Sequence, residues 1–296
     1  MTAELHCHSF YSIDGWASPE ELAERAAANG VSTLALTDHN CIEGLSRCRS
    51  RSEALGLRFI DGVEFDADWR GRELHLVAFG FDPADRRLNE LCRKQCLQYE
   101  ANFARFIPVI ERRFGVGEAE MRAALPSRFR DRPNPPLGKW FARSYLLAKG
   151  VFPDAATALR EMRAVSTEAD DGAGNPWIWA PLEEIAGTVH AAGGVILAAH
   201  PAGLCRGSLE GQLALIGELL AAGLDGFELY HPSNLAEPHF AGLEAEARRL
   251  GCAASGGSDT HMDPEETRRA RPGPVVPDWT VASLDAALAR RKLSHR

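Results

Sequence analysis

Two short segments place metal-binding side chains two residues apart: His6-Cys7-His8 near the start of the chain, and Asp259-Thr260-His261 near its end. In an extended strand, residues i and i+2 point to the same face, so each pair can present both side chains to one ion. Other candidate fragments lie between them. Ser12 and Asp14 follow the first pair, and Thr37-Asp38-His39 follows an apolar run. Glu64 comes after Gly62-Val63, His75 lies in the next apolar run, and His200 ends the run that starts at Val195. A single histidine at a strand end is ordinarily a surface or satisfied core residue. So many titratable groups at successive strand ends are different, because burying them together is costly unless something pairs them. A cluster of divalent cations is the natural partner. Mixed imidazole and carboxylate ligation suits Zn, Mn or Fe better than Ca or Mg, without choosing among the three.

The elements that must position these groups alternate between strand and helix. Strands are expected at Ala3–Cys7, Ser32–Thr37, Leu57–Phe65 and Glu73–Phe81, the last two joined by a turn at Arg70-Gly71. Helices are expected at Pro19–Asn29, with Ser18 and Glu21 forming a capping box, and at Ile42–Leu55. The alternation returns with helices at Leu182–Ala192, Leu209–Ala222 and Ala236–Leu250, and with strands at Val195–Ala199, Gly226–Tyr230 and Cys252–Gly256. Gly193, Gly223 and Gly251 stand where helices commonly stop, and a last helix covers Val281–Lys292. This order implies an α/β fold with a parallel sheet or barrel. Each candidate group then falls at the C-terminal end of a strand, where barrel enzymes build their sites.

Residues 84–178 read differently. A long helix is expected over Leu88–Phe114, then shorter ones at Glu118–Leu125, Leu137–Lys149 and Pro153–Arg163, with Thr167–Asn175 as a mobile polar loop. The expected organisation is therefore a barrel formed by 1–83 and 179–296, with 84–178 as a helical insertion lying over its C-terminal face.

A chain of 296 residues can bury a full core. Its net charge of −8 argues against a partner in duplex nucleic acid but not against a small phosphorylated substrate, since bound cations add positive charge that composition does not count. No run approaches the ~20 apolar residues that span a bilayer, and the N-terminus lacks the regions of a signal peptide. A cytoplasmic protein is expected. The seven cysteines are odd in number and lack paired metal spacing, which suits reduced, mostly buried thiols.

The fragments LHCHSFYSIDG, LALTDHN, GVEF, ELHLVAFGFD, AAHP and GGSDTH, taken in order, resemble the PHP (polymerase and histidinol phosphatase) superfamily. The resemblance covers roughly 1–82 and 180–262. It implies a distorted seven-stranded β/α barrel with two or three divalent metal ions. It further implies that His6, His8, Glu64 and Asp259 hold one ion, and that Glu64 bridges to a second held with His75 and His200. A third ion would take Asp14, His39 and His261. Some members have His in place of Asp14. The family commonly has Asp two residues before the first His, where this chain has Glu4; this is expected to act behind the ligands, as is Asp38.

The implied reaction is attack on phosphorus by a metal-bound hydroxide, in line with the leaving oxygen. Glu228 and His231 follow a late strand on the same barrel face, and His231 is placed to donate a proton or touch substrate. Arg128, Arg130, Arg132, Lys139 and Arg143 in the insertion and Arg206 after His200 could meet phosphate, with Arg143 and Arg206 the favoured pair. The chain looks most like stand-alone members acting on 3′,5′-nucleoside bisphosphates or the 5′ end of short RNA. It departs from them where Arg132-Pro133 is followed by Asn134. The alternatives are a histidinol-phosphate phosphatase, a non-catalytic metal-binding module, and a barrel amidohydrolase, for which no strand-end lysine stands out.

Overall fold

The computed structural model describes residues 2–128, 136–169, 178–203, 208–262 and 276–294, with side chains omitted for 2, 126–128, 203 and 294. Among them run eight strands: β1 (Thr2–Glu4), β2 (Val31–Leu36), β3 (Arg58–Trp69), β4 (Arg72–Phe79), β5 (Ala180–Pro181), β6 (Val195–Ala198), β7 (Gly226–Tyr230) and β8 (Ala253–Gly256). The main path is β1-β2-β3-β4-β6-β7-β8, with the two-residue β5 beside β3. Backbone bonds join the two ends of this path: Leu5 N donates to Gly256 O, Asp259 N to His6 O and His8 N to Thr260 O, at 3.1, 2.9 and 3.0 Å. The seven strands thus curl into a barrel whose seam brings the first and last metal-type pairs side by side. Gly257 makes the seam possible, because a Cβ there would lie 2.4 Å from His6 N and from Glu4 Oε1.

The sheet departs from a parallel arrangement at one strand. β4 runs antiparallel to both β3 and β6. The reason is local: Arg70 and Gly71 both take positive φ (55° and 74°), the geometry of a two-residue hairpin turn, which leaves no room for a crossover. The hairpin sets Glu64 and His75 on neighbouring strands.

Helix α1 (Pro19–Ala28) begins with the expected capping box, Ser18 and Glu21 each accepting the other's backbone N–H. α2 (Leu45–Ala54), α8 (Leu182–Ala191), α9 (Leu209–Ala221) and α12 (Asp278–Ser294) complete the outer layer with α11 (Phe240–Leu250). The helix expected over Ala236–Leu250 is divided, since only Phe240–Leu250 continues and a four-residue α10 (Pro232–Leu235) precedes it. Pro238 disfavours helical geometry at Glu237, so the chain restarts beyond it.

The segment expected as an insertion contains α3 (Arg86–Phe103), α4 (Phe106–Phe114), α5 (Glu118–Arg128), α6 (Lys139–Ala148) and α7 (Ala155–Ala169), between β4 and β5. The single helix expected over Leu88–Phe114 is therefore two. Pro108 has no N–H for the Ala104 carbonyl, and the break lets Phe106, Val109 and Ile110 turn into a separate core. That core also holds Phe103, Met121, Phe141 and Met162, and it reaches Phe10, Tyr11 and Cys41 from loops at the barrel mouth. Leu88, Leu91 and Cys92, at the other end of α3, belong to the barrel core. Of the polar stretch Thr167–Asn175, Thr167–Ala169 complete α7 and the rest lies outside the described residues.

The described cysteines, 7, 41, 48, 92, 96 and 252, are free thiols; Cys205 lies outside the described residues. No helix among the described residues is long and apolar enough to cross a membrane.

Candidate metal centre

The barrel brings the nine sequence-predicted donors to one end of the sheet. His6 and His8 follow β1, Asp14 lies in the next loop, and His39 follows β2. Glu64 and His75 face each other from β3 and β4, His200 follows β6, and Asp259 and His261 follow β8. Glu64, only 1% exposed, stands at the centre. Its Oε2 lies 3.0 Å from His6 Nε2, 3.2 Å from His8 Nε2 and 3.3 Å from His39 Nε2. Its Oε1 lies 3.1 Å from His75 Nδ1 and 3.2 Å from His200 Nε2. Asp259 Oδ1 is 3.4 Å from His6 Nε2 and 3.1 Å from His8 Nε2. Asp14 Oδ2 is 3.0 Å from His261 Nε2 and 3.6 Å from His39 Nε2.

Four groups of donors among the described residues could each receive an ion, with ligand atoms within 4.8 Å of one another: His6, His8, Glu64 and Asp259; His8, Asp14, His39 and His261; His39, Glu64 and His75; and Asp66, Glu73 and His75. The first reproduces the set expected from the sequence. The second adds His8 to the expected trio. In the third, His39 stands with Glu64 and His75 where His200 was expected, while His200 meets the same Glu64 oxygen as His75. Two imidazole nitrogens here, His8 Nδ1 and His39 Nδ1, are buried without a hydrogen-bond partner. Nitrogen and carboxylate donors at this density, with one carboxylate shared, fit divalent transition-metal ions.

The electrostatics follow from the packing. Burial alone would raise the Glu64 carboxyl, but His39, His6 and His75 hold it well below the usual carboxylate range. Asp14 and Asp259 are likewise depressed against their burial, Asp14 chiefly by His261 and His39 and Asp259 chiefly by His6. The imidazoles move the other way. Against burial, Glu64, Asp66 and Asp14 push His39 up to about 9, and Glu228, Glu64 and Asp259 raise His6 well above its ordinary value. Protons on these rings supply the positive charge the carboxylates require, which is the charge a cation would bring.

The backbone is also strained here. His200 and Asp259 take positive φ (30° and 53°), as does Asn40 next to His39 (51°). Side chains other than glycine rarely occupy this region, and such residues gather at functional sites.

Groups behind the donors fix their aim. Glu228, fully buried, lies 2.9 Å from His6 Nδ1 and accepts from His200 N at 2.8 Å. Glu4 accepts from His6 N at 3.1 Å and Ser258 N at 2.9 Å, so it ties the seam between the two metal-type pairs. Asp38 accepts from Ser9 N and Ser9 Oγ at 2.6 and 2.7 Å and pins the start of the loop that carries Asp14. Ser12 Oγ donates to Asp14 Oδ1 at 2.7 Å. His231 Nδ1 accepts from Ser233 N at 3.1 Å, which leaves the proton on Nε2, 3.3 Å from Asp259 Oδ2.

Sequence reasoning missed Asp66, Glu73 and Tyr99. Asp66 lies two residues past Glu64, on the same strand face, and that spacing was the available signal. Tyr99 reaches the site only through the docking of α3, which no local pattern announces. A cavity of about 200 Å³ opens beside the donors, its wall including Asp14, His39 and His75 together with Lys139, Trp140 and Trp179 from the insertion and its return to the barrel. Trp140 lies nearly parallel to His261 at 6.5 Å, and the Arg143 guanidinium sits 4.2 Å over the Trp140 ring. Arg143 is thus beside the cavity, at one remove from the donors; Arg206, with Arg130 and Arg132, lies outside the described residues. All four lysines, Lys94, Lys139, Lys149 and Lys292, lie in helices or at a helix end, so none offers the strand-end lysine of a barrel amidohydrolase.

Comparison with known proteins agrees with this geometry. Residues 4–114 match the PHP domain model. The chain is 32% identical over 270 residues to a 3′,5′-nucleoside bisphosphate phosphatase of Chromobacterium violaceum, covering 90% of this chain and 89% of that protein. It is 30% identical over 265 residues to a 5′-3′ exoribonuclease of Haemophilus influenzae, covering 88% and 89%. A solved Chromobacterium violaceum structure, described as an amidohydrolase with bound sulfate and no metal, superposes with a TM-score of 0.75 at 27% identity over 97% of each chain. With that extent of likeness and this cluster of donors, the chain belongs to the PHP-domain family of metal-dependent phosphoesterases.

Proposed function

We propose that this protein removes phosphate from a small nucleotide, such as a 3′,5′-nucleoside bisphosphate or the 5′ end of a short RNA, using two or three Mn, Fe or Zn ions. The observation that carries the reading is the division of labour within Glu64. One oxygen faces His6, His8 and His39 and the other faces His75 and His200, which is what a carboxylate bridging two ions requires. His6, His8, Glu64 and Asp259 are assigned to one ion, Glu64, His75 and His200 to a second, and Asp14, His39 and His261, with His8 at hand, to a third. When bound, such ions supply Lewis acidity that activates water and neutralises charge on phosphate oxygens.

The remaining work falls to the chain. Glu228 holds the His6 ring in one orientation, so that Nε2 points to the centre. His231 keeps a proton at Nε2 beside Asp259, and burial's tendency to lower its basicity is outweighed by Glu228 and Asp259. It is the side chain best placed to protonate a leaving oxygen. The Trp140 and Trp179 rings in the cavity wall offer flat faces for a base, and Arg143 behind Trp140 adds positive charge. The nucleotide relatives support this choice of substrate class over histidinol phosphate.

Phosphate release from adenosine 3′,5′-bisphosphate, a short 5′-phosphorylated RNA, AMP and histidinol phosphate, measured with added Mn²⁺, tests the proposal. Turnover of the bisphosphate or RNA that disappears in His8→Ala/Asp259→Ala is expected. Turnover of histidinol phosphate alone would sink the nucleotide assignment.

A further inference from the structure

No role assigned above uses Asp66, yet this buried carboxylate stands directly behind two of the donor rings. Asp66 Oδ1 lies 3.1 Å from His75 Nε2, and Oδ2 lies 3.6 Å from His39 Nδ1. Each of those rings turns its other nitrogen toward Glu64, His75 Nδ1 to Oε1 and His39 Nε2 to Oε2. Glu64 and Asp66, two residues apart on β3, therefore hold the His75 ring between them, while Asp66 stands behind His39 without a hydrogen bond to it.

The carboxylate is itself immobilised. Tyr99 OH and Asn40 Nδ2 both donate to Asp66 Oδ2 at 2.5 Å, and Asp66 N donates to Asn40 Oδ1 at 3.1 Å. Gln95 Nε2 donates to the Asp66 carbonyl at 2.5 Å, and its Oε1 accepts from Ala180 N at 3.0 Å. Tyr99 and Gln95 belong to α3, the first helix of the insertion. An ionised carboxylate only accepts, so when an ion occupies the Glu64 side, the one proton the His75 ring retains belongs on the nitrogen that faces Asp66.

We propose that Asp66 is a positioning residue for metal loading: it selects the tautomer of His75 that aims a lone pair at the Glu64 centre, and Tyr99 makes that selection depend on the seating of α3. This rests on the reading above that His75 holds an ion. The proposal singles out the ion bound by this ring; the position formed by His6, His8 and Asp259 has Glu228 and Glu4 behind it and does not use Asp66.

The test is titration of the metal-free full-length protein with Mn²⁺ alone. Bound ions are counted by mass spectrometry and affinities taken from calorimetry, and Co²⁺ loading reports coordination through its visible spectrum. Asp66→Asn keeps the shape but can turn an amide N–H₂ toward His75, favouring the wrong tautomer. It should weaken one ion, the one held by His75, about 10- to 100-fold, the range found when a carboxylate behind a ligand is lost. The Co²⁺ spectrum of the weakened ion should change as well. Tyr99→Phe, which leaves the carboxylate in place, should act in the same direction with a smaller change and guards against a misfolded Asp66→Asn. Wild-type affinities and spectra in both variants would overturn the proposal, as would equal weakening of every ion. If the wild type itself bound no Mn²⁺, the metal assignment would fall instead, before any variant was compared.

Discussion

Removing the metal should reverse the way this protein's stability depends on pH. In the metal-free chain the cluster is held by protonated imidazoles among carboxylates. His39, whose ordinary value is 6.5, is pushed up to about 9 by Glu64, Asp66 and Asp14. A raised imidazole binds its proton more tightly in the folded state than in the unfolded one. Its contribution to stability is therefore complete below about pH 6.5 and disappears as pH rises through about 9. At about 1.4 kcal/mol per unit, the shift corresponds to on the order of 3 kcal/mol, with little discount for screening because the side chain is 7% exposed. His6 and His75 shift the same way but share the same carboxylates, so their contributions do not simply add. At about 2 °C per kcal/mol for a chain of this size, Tm in chelator should fall by roughly 6 °C between pH 6.5 and 9.5. With Mn²⁺ the trend differs, because each ligand ring must give up its proton to bind. The gap between Tm with Mn²⁺ and Tm in chelator should widen over the same interval. Scanning calorimetry on both forms measures this, and His39→Gln should flatten the metal-free slope. A metal-free Tm that stays level or rises from pH 6.5 to 9.5 would refute the reasoning.

Four further outcomes follow from the site. Glu64→Gln removes the shared charge and should reduce metal-dependent phosphate release by more than about 100-fold, beyond the usual range for residues behind the ligands; activity within tenfold of wild type would rule out a bridging role. Glu228→Gln loses the partner of His6 Nδ1 and should weaken metal binding by about 10- to 100-fold in calorimetry, with the fold intact by circular dichroism. His231→Gln should lower kcat by about 10²-fold or more while bound metal, counted by mass spectrometry, is unchanged; metal lost in parallel would instead place its role in holding Asp259. Trp140→Ala should raise KM for a nucleotide about tenfold with a smaller effect on kcat, as expected for loss of one stacking face, and an unchanged KM would remove Trp140 from the substrate site.

Much of the site was legible in the sequence because metal chemistry restricts both residue type and spacing. His6/His8 and Asp259/His261 needed only the period of a strand to suggest shared ligands, while Glu64 after Gly62-Val63, His75 within an apolar run and His200 at the end of one stood out as polar groups on expected strands. The elements around them were readable for the same local reasons, as with the Ser18–Glu21 capping box. Helix divisions were less legible: Pro108 and Pro238 carried the signal, but apolar periodicity continued across both.

What the sequence determined by itself, then, is the set of donors, the β/α order that carries them, and with its motifs the family. Only the tertiary structure decided how the donors share one another. That His8 stands between two groups, that His39 faces both Asp14 and Glu64, and that Asp66 backs His39 and His75 depends on strands distant in sequence closing through the seam at Leu5, His6 and His8. The cavity wall is likewise a tertiary product, since Trp140, Trp179 and Tyr99 meet the donors only because α3 and α6 pack over the barrel mouth. Residue type and period are local properties of a chain, whereas the distance between side chains from remote segments is set by how the whole core packs.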